Sequence, residues 1–184
     1  VTPEMAADWE RIAAEYGIAT AGRLDVPLSS VPVVRLLLRM IAVARDDYPR
    51  REVLDVLSSP YRRVEGGDGA TTVRPDLWDL LSKELLVVSG SDWETRLARP
   101  PRRRHPGEEP EADADGLAEQ LARLRNEVRS LRASLRPLAE ARGHAAFARA
   151  ARELLVREFG GIRSDTPEGE RDRRAVEALL AILD

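Results

Sequence analysis

The sequence has no cysteine, a single lysine and few aromatic side chains, and each scarcity excludes a class of protein or site. Without cysteine there is no disulfide, no thiolate nucleophile and no cysteine-ligated zinc. Lys83, the only lysine, lies within a helical pattern with no glycine-rich turn directly before it, which excludes a nucleotide-binding P-loop. Leu81, two positions earlier, excludes a nuclease motif of the Asp…Glu-x-Lys type.

The composition favours helices and gives no sign of a membrane segment. Aromatic residues make up 4% of the 184 residues and hydrophobic residues 43%, so the core is mostly Leu, Val and Ala, which favour helix over sheet. No signal peptide or membrane-spanning run is visible, and we expect a cytoplasmic protein. The net charge of -3 gives no overall attraction to nucleic acid.

The chain starts at Val1, close to a helix start, and ends at Asp184 within an amphipathic pattern. We therefore expect a piece of a longer protein, the alternative being a processed small protein. Its length suits one domain or two small ones.

Apolar spacing predicts several helices in the first half of the chain. Helix-type stripes begin at four capping segments, which are Thr2-Pro3, Ser29-Ser30, Asp46 to Pro49 and a Ser91 to Glu94 capping box, and a further helix spans Pro75 to Glu84. The first stripe, with 4-3-4 spacing, ends at Gly17. Ile18 to Thr20 is compatible with a short strand or an extended exit. The capping-box helix is expected to continue through Leu97.

The second half begins with a charged, proline-rich segment and continues with three helices. Residues 99–116 lack apolar periodicity, so we expect a flexible linker. A heptad seam follows, and Pro137 is expected to kink or end its helix. The seam consists of Leu117, Leu121, Leu124, Val128, Leu131, Leu135 and Leu138. Two more helices carry Phe147 to Val156 and, after Thr166-Pro167, Val176 to Leu183.

We therefore predict an all-α fold: an irregular helical bundle with room for one very short strand pair, plus a C-terminal three-helix unit. The domains are a helical cluster at 1–98, a flexible charged linker at 99–116, and a three-helix antiparallel unit with the heptad seam at 117–184.

No catalytic, cofactor or metal site is visible. His105 and His144 lack partners at ligand spacing and are interpreted as exposed, and Asp46-Asp47 is interpreted as helix-capping rather than cation-binding. The candidates for DNA phosphate contacts are Arg50, Arg51, Arg62, Arg63, Arg102, Arg103 and Arg104. The alternative is that the first four form the wet face of a helix and that the last three form a solvated run neutralised by the acids after them.

Three stretches resemble helicase–nuclease subunits of the AddB, RecB and RecC kind, within the UvrD-like helicases. The first runs from Tyr16-Gly17-Ile18 through Pro27-Leu28-Ser29 to Pro32–Leu38. The second is Tyr48-Pro49-Arg50-Arg51-Glu52-Val53-Leu54 with Leu57-Ser58-Ser59-Pro60-Tyr61. The third extends from Trp78 to Gly90-Ser91-Asp92-Trp93-Glu94-Thr95-Arg96-Leu97. These are packing patterns rather than catalytic signatures, and they cover residues 16–97.

The resemblance implies the largely helical, 2B-like part of the second motor domain. A non-catalytic segment of a DNA repair and recombination protein is then expected, one that positions DNA or contacts neighbouring domains or a partner subunit. Helicase and exodeoxyribonuclease activity would belong to the parent protein, and no cofactor is expected here. The acidic composition departs from a usual DNA-binding segment. The alternative function is a coiled-coil protein–protein interaction module, and a small enzyme is the third option.

Overall fold

The computed structural model describes residues 3–18, 27–62, 74–99, 114–159, 162 and 165–184. These residues form eight α-helices and one 3₁₀ turn, Leu28–Ser30, and contain no strand, so the all-α prediction is confirmed. The helices are α1 Pro3–Glu15, α2 Pro32–Arg45, α3 Arg50–Leu57, α4 Pro75–Glu84, α5 Asp92–Thr95, α6 Ala114–Glu140, α7 His144–Phe159 and α8 Pro167–Leu183. None of these helices is long and apolar enough to cross a membrane. Of the predicted short strand, Ile18 is not in a strand, and Ala19 and Thr20 lie outside the described residues.

Local sequence signals set several helix ends correctly. Thr166 caps α8, because its hydroxyl accepts a hydrogen bond from the backbone N–H of Gly169 at 3.1 Å. α1 ends where Gly17 adopts φ +68° and lets the N–H of Ile18 reach the carbonyl of Ala13. A left-handed C-terminal glycine satisfies helix carbonyls in this way, so the predicted stop at Gly17 is confirmed.

The predicted caps of α2, α3 and α5 are wrong. α3 is preceded by Pro49, and neither Asp46 nor Asp47 makes a side-chain cap on it. α2 is preceded by Val31, and the hydroxyl of Ser30 instead donates to the carbonyl of Pro27 at 2.8 Å. Ser91 makes no side-chain cap on α5, which ends at Thr95 rather than continuing through Leu97. The bond that Ser30 makes to a nearby carbonyl is a common alternative to capping for short polar side chains. Ser91 has helical backbone angles, φ -68° and ψ -16°, rather than the extended angles typical of a capping residue.

α6 begins earlier than expected and does not end at Pro137. α6 begins at Ala114, so its first residues lie within the predicted linker, and residues 100–113 are outside the described residues. α6 continues past Pro137 to Glu140. Proline removes one backbone donor near the end of a helix, and this single loss does not end a helix whose buried face is packed on its neighbours.

The core lies between α2 and α6, which pack against each other along their apolar faces. Helices α3, α4, α5 and α7 also pack against α6. α8 packs on α7 and also on α2, so the described helices of residues 32–97 and 117–183 share one hydrophobic core. Val156 is an exception to its predicted stripe, because it is exposed.

The α2–α3 and α4–α5 turns are bonded to each other, and we call this contact the turn junction. The Gly90 N–H donates to the carbonyl of Asp47 at 2.7 Å, and the Arg50 N–H donates to the carbonyl of Val88 at 2.9 Å. The indole N–H of Trp93, which is buried, donates to the carbonyl of Tyr48 at 2.7 Å. These three bonds set the relative position of α3 and α4.

Candidate nucleic-acid interface

A polar groove of about 400 Å³ runs between α3 and α4. The turn junction brings the start of α3 close to the end of α4, so the two helices run side by side in opposite directions. Helical spacing then places three α4 residues, Pro75, Asp79 and Lys83, on the groove wall, each four positions after the last. The α3 wall consists of Arg50, Arg51, Leu54, Asp55 and Ser58.

Asp79 holds two cations in this groove. Its Oδ1 accepts from Arg50 Nη1 at 2.6 Å, and its Oδ2 accepts from Lys83 Nζ at 2.5 Å. The same Arg50 Nη1 lies 3.2 Å from the hydroxyl of Ser82. The side-chain hydrogen bonds from Lys83 and then Arg50 hold the pKa of Asp79 below its ordinary value. Two cations on one carboxylate leave one positive charge uncompensated.

Asp55, the second acidic side chain of the groove, pairs with a residue that does not line the groove. Arg39 of α2 lies 3.5 Å from Asp55 Oδ2. Arg51 is exposed and forms no ion pair or hydrogen bond with the described residues. Lys83 keeps 58% of its side chain exposed despite its pair with Asp79. The groove therefore presents an excess of positive charge, and Arg51 and Lys83 are the cations able to reach an anion in solvent.

The structure brings only some of the predicted phosphate-contact residues together. Arg50 and Arg51 line the groove, and Arg63, Arg102, Arg103 and Arg104 lie outside the described residues. Arg62 has 3% of its side chain exposed and lies 3.5 Å from Glu127 Oε2 of α6. Its Nη2 also donates to the Glu127 carbonyl at 3.4 Å. Arg62 thus anchors the segment after α3 to α6 and does not extend a cationic surface from the groove.

The sequence analysis did not predict Lys83 as a groove residue, because it considered this lysine only as part of a P-loop or a nuclease motif. The sequence does indicate an ion pair at this position, because Asp79 and Lys83 are four residues apart on one predicted helix, the spacing of an ion pair on a helix face. What the spacing could not show is that Arg50, distant in sequence, shares the same carboxylate.

The remaining polar candidates do not form a second site in the described part of the chain. Asp46 accepts a hydrogen bond from Arg45 Nε at 2.7 Å, and this bond lowers the pKa of Asp46. The Asp47 carboxylate lies against Gly90 in the turn junction. His144 is exposed at the start of α7, and His105 is outside the described residues. No group of three or more metal-ligating side chains occurs among the described residues.

Comparison of the chain with protein-family models, curated proteins and solved structures finds no match.

Proposed function

We propose that this chain is a non-catalytic helical segment of a helicase–nuclease-like DNA repair and recombination protein, where it positions DNA and contacts neighbouring domains or a partner subunit. The sequence resemblance over residues 16–97 motivates the proposal. One structural observation supports it most: the second and third resembling stretches meet at the turn junction, through the Trp93–Tyr48 hydrogen bond. Packing patterns that recur together in a family are expected to touch in space.

The groove supplies a DNA-contacting surface on that scaffold. The net charge of -3 gives the chain no general affinity for nucleic acid, so a local excess of cations has to provide it. Arg51 and Lys83 stand at the α3–α4 groove with exposed side chains. Phosphate contacts by arginine and lysine release counterions, and this makes the binding strongly salt-dependent.

The test is a salt titration of binding to labelled single-stranded and double-stranded DNA, followed by fluorescence anisotropy. Replacing both Arg51 and Lys83 by Gln is expected to weaken binding and to reduce the slope of log affinity against log salt by about 1.4 for single strands. Arg149→Gln, at an exposed arginine of α7, is the matched control and should leave the slope unchanged.

Three results would count against this proposal. If the chain does not bind DNA at low salt, it has no DNA-positioning role. If the double variant has the same slope of log affinity against log salt as the parent, the groove does not contribute to DNA binding. ATP hydrolysis or DNA cleavage by the purified chain would contradict a non-catalytic segment.

In the described structure, the coiled-coil alternative has no exposed heptad seam that could bind a partner. Its heptad seam is buried within the chain, with Leu124, Leu131 and Leu135 fully covered by neighbouring helices. A second copy could reach the seam only if α6 separated from α2. No observation in the structure favours this alternative over the DNA-repair segment.

A further inference from the structure

Two exposed apolar side chains project from the turn that follows α4. Leu86 is 67% exposed and Val88 66% exposed, while Val87 between them is buried. Alternation of this kind anchors the turn through its middle residue and directs its two neighbours into solvent. We call Leu86 and Val88 the apolar pair.

Leu86 holds an unfavourable backbone conformation. Its φ is +56°, in the left-handed region that favours glycine. The N–H of Leu86 bonds to the carbonyl of Lys83, and that of Val87 to the carbonyl of Ser82, both at 2.9 Å. This is the helix ending in which glycine is usual at the left-handed position. A glycine here would satisfy the backbone better than leucine, so folding alone gives no reason for this side chain.

The apolar pair is held rigidly at one end of the groove. The carbonyl of Val88 accepts from the N–H of Arg50, the first residue of α3, at 2.9 Å. The N–H of Val88 donates to Asp92 Oδ2 at 3.0 Å, and bonds from Arg96 and then Val88 lower the pKa of Asp92, so this clamp stays charged at neutral pH. Backbone bonds therefore join the apolar pair directly to Arg50 and Lys83, two residues that line the groove.

A ligand that fits this surface has anionic groups next to flat apolar ones. Single-stranded nucleic acid has this chemistry, because its phosphates alternate with bases whose faces are free to contact side chains. A duplex exposes phosphates along its backbone but keeps its base faces stacked, so it would use the cations and leave the apolar pair in water. The positive charge next to the apolar pair therefore favours a nucleic-acid strand over a purely apolar protein partner.

We propose that the apolar pair contacts nucleobases of a single strand whose phosphates lie on Arg51 and Lys83. The α3–α4 groove and its rim then form a binding site for single-stranded nucleic acid. This inference rests on the proposed function, since it takes the groove to be the phosphate-binding surface.

The experiment compares two labelled probes: a deoxythymidine oligomer of about 12 nucleotides and an abasic deoxyribose-phosphate oligomer of equal length. Both carry the same phosphates, and only the first carries bases. Leu86→Gly removes the side chain and fits the left-handed backbone, so the variant should fold at least as well as the parent, which a melting curve checks. Val88→Thr is a second variant that keeps the branched shape and adds a hydroxyl. Leu38→Ala, at an exposed leucine of α2, is the matched control.

We expect Leu86→Gly to weaken binding of the thymidine oligomer about threefold to tenfold, since it removes partial burial of one leucine side chain. Val88→Thr should act in the same direction, and Leu38→Ala should have no effect. Binding of the abasic oligomer should be unchanged in all three variants. Arg51→Gln should weaken binding of both probes.

The outcomes separate the two proposals. If the parent chain binds neither probe, the proposed DNA-positioning function fails, and this inference fails with it. If the parent binds both probes equally and Leu86→Gly and Val88→Thr change nothing, the groove is a phosphate site only; the proposed function stands and the contact with bases is refuted.

Discussion

α1 and α6 carry the same apolar spacing and meet opposite environments. Met5, Trp9, Ile12 and Tyr16 follow each other in α1 and just beyond its end at 4-3-4 spacing, the repeat that continues for seven positions in α6. In α6 the seam is buried, with Leu131 and Leu135 at 0% exposure. Along α1, Trp9 is 64% and Tyr16 76% exposed. Equal spacing therefore predicts the helix and its apolar face equally well, but does not predict whether another part of the chain covers that face.

The difference lies in what surrounds each helix. α6 is long enough to contact α2, α3, α4, α5 and α7, and its stripe closes a core to which each of them contributes. Among the described residues, α1 is not part of any extensive helix–helix contact, and Ala13 is buried among the α1 side chains for which burial is described, those at 8, 9 and 11–15. Because helix stability in water comes mainly from packing of the apolar face, stripe residues of α1 should contribute far less to folding than their counterparts in α6.

The largest contrast is expected between Leu131→Asp and Ile12→Asp. A carboxylate at position 131 replaces a fully buried leucine and should destabilise the fold by more than about 4 kcal/mol, a large part of the stability of a natural domain. Ile12 is 39% exposed, so its replacement should leave the unfolding midpoint nearly unchanged. Chemical denaturation followed by circular dichroism measures both. Equal losses would mean that the α1 stripe is covered after all.

Ion pairs should show the same contrast at a smaller scale. Glu127→Ala removes a carboxylate partner from the buried guanidinium of Arg62 and should cost about 3 kcal/mol. Glu15→Ala removes a pair with Arg11, at 3.2 Å, in which both side chains are more than 60% exposed, and should have no measurable effect. Unfolding midpoints in urea at low and high salt give both values. A small effect of Glu127→Ala would show that other groups compensate for Arg62.

The tryptophans provide a third comparison. Trp93→Phe removes the bond to the Tyr48 carbonyl and leaves that buried acceptor unpaired, at a cost of about 1–3 kcal/mol. Trp9→Phe should change stability little, since Trp9 is mostly exposed. Thermal unfolding reports the difference, and acrylamide quenching of the parent protein should reach Trp9 but not Trp93. If Trp93→Phe is neutral, the turn junction does not depend on this bond.

The smallest contrast concerns two left-handed glycines. A Cβ at Gly90, with φ +50°, would lie 2.3 Å from Asp47 Oδ2, whereas a Cβ at Gly17, with φ +68°, meets nothing within 4 Å. Gly17→Ala should therefore cost only the backbone term, about 1 kcal/mol or less, at the end of a weakly packed helix. Gly90→Ala should cost about 1 kcal/mol more because the carboxylate must move. Asp47→Ala should remove that extra cost in a double-mutant cycle, and its persistence would contradict a local clash.

Sequence signals predicted a helix end correctly where the bond that fixes it joins residues close together in the chain. The sequence placed the start of the last helix at Thr166-Pro167, and Thr166 caps that helix because its hydroxyl reaches a backbone N–H three residues later. Ser91 matched a capping box and makes no cap, because the turn junction holds its segment in a different geometry. Of the two outcomes expected at Pro137, a kink or a helix end, the helix end is wrong, since α6 continues to Glu140, where packing outweighs one lost hydrogen bond.

In the candidate site, too, the sequence predicted the helix positions of the arginines but not their partners. The sequence placed Arg50 and Arg51 on one helix, and the structure places both at the groove. Arg62, one turn beyond α3, looked equivalent to them and is buried against Glu127. No spacing rule could separate these arginines, since the partners that distinguish them, Asp79 and Glu127, come from helices distant in the sequence.

By itself, the sequence determined that this protein is all-helical, which residues share each apolar face and where most helices begin and end. Those properties follow from the period of the helix and from capping groups within a few residues. Only the tertiary structure decided which faces are covered, which arginines are buried and that Arg51 and Lys83 stand in one groove beside Leu86. These depend on contacts between segments far apart in the chain, whose geometry is fixed only when the core closes.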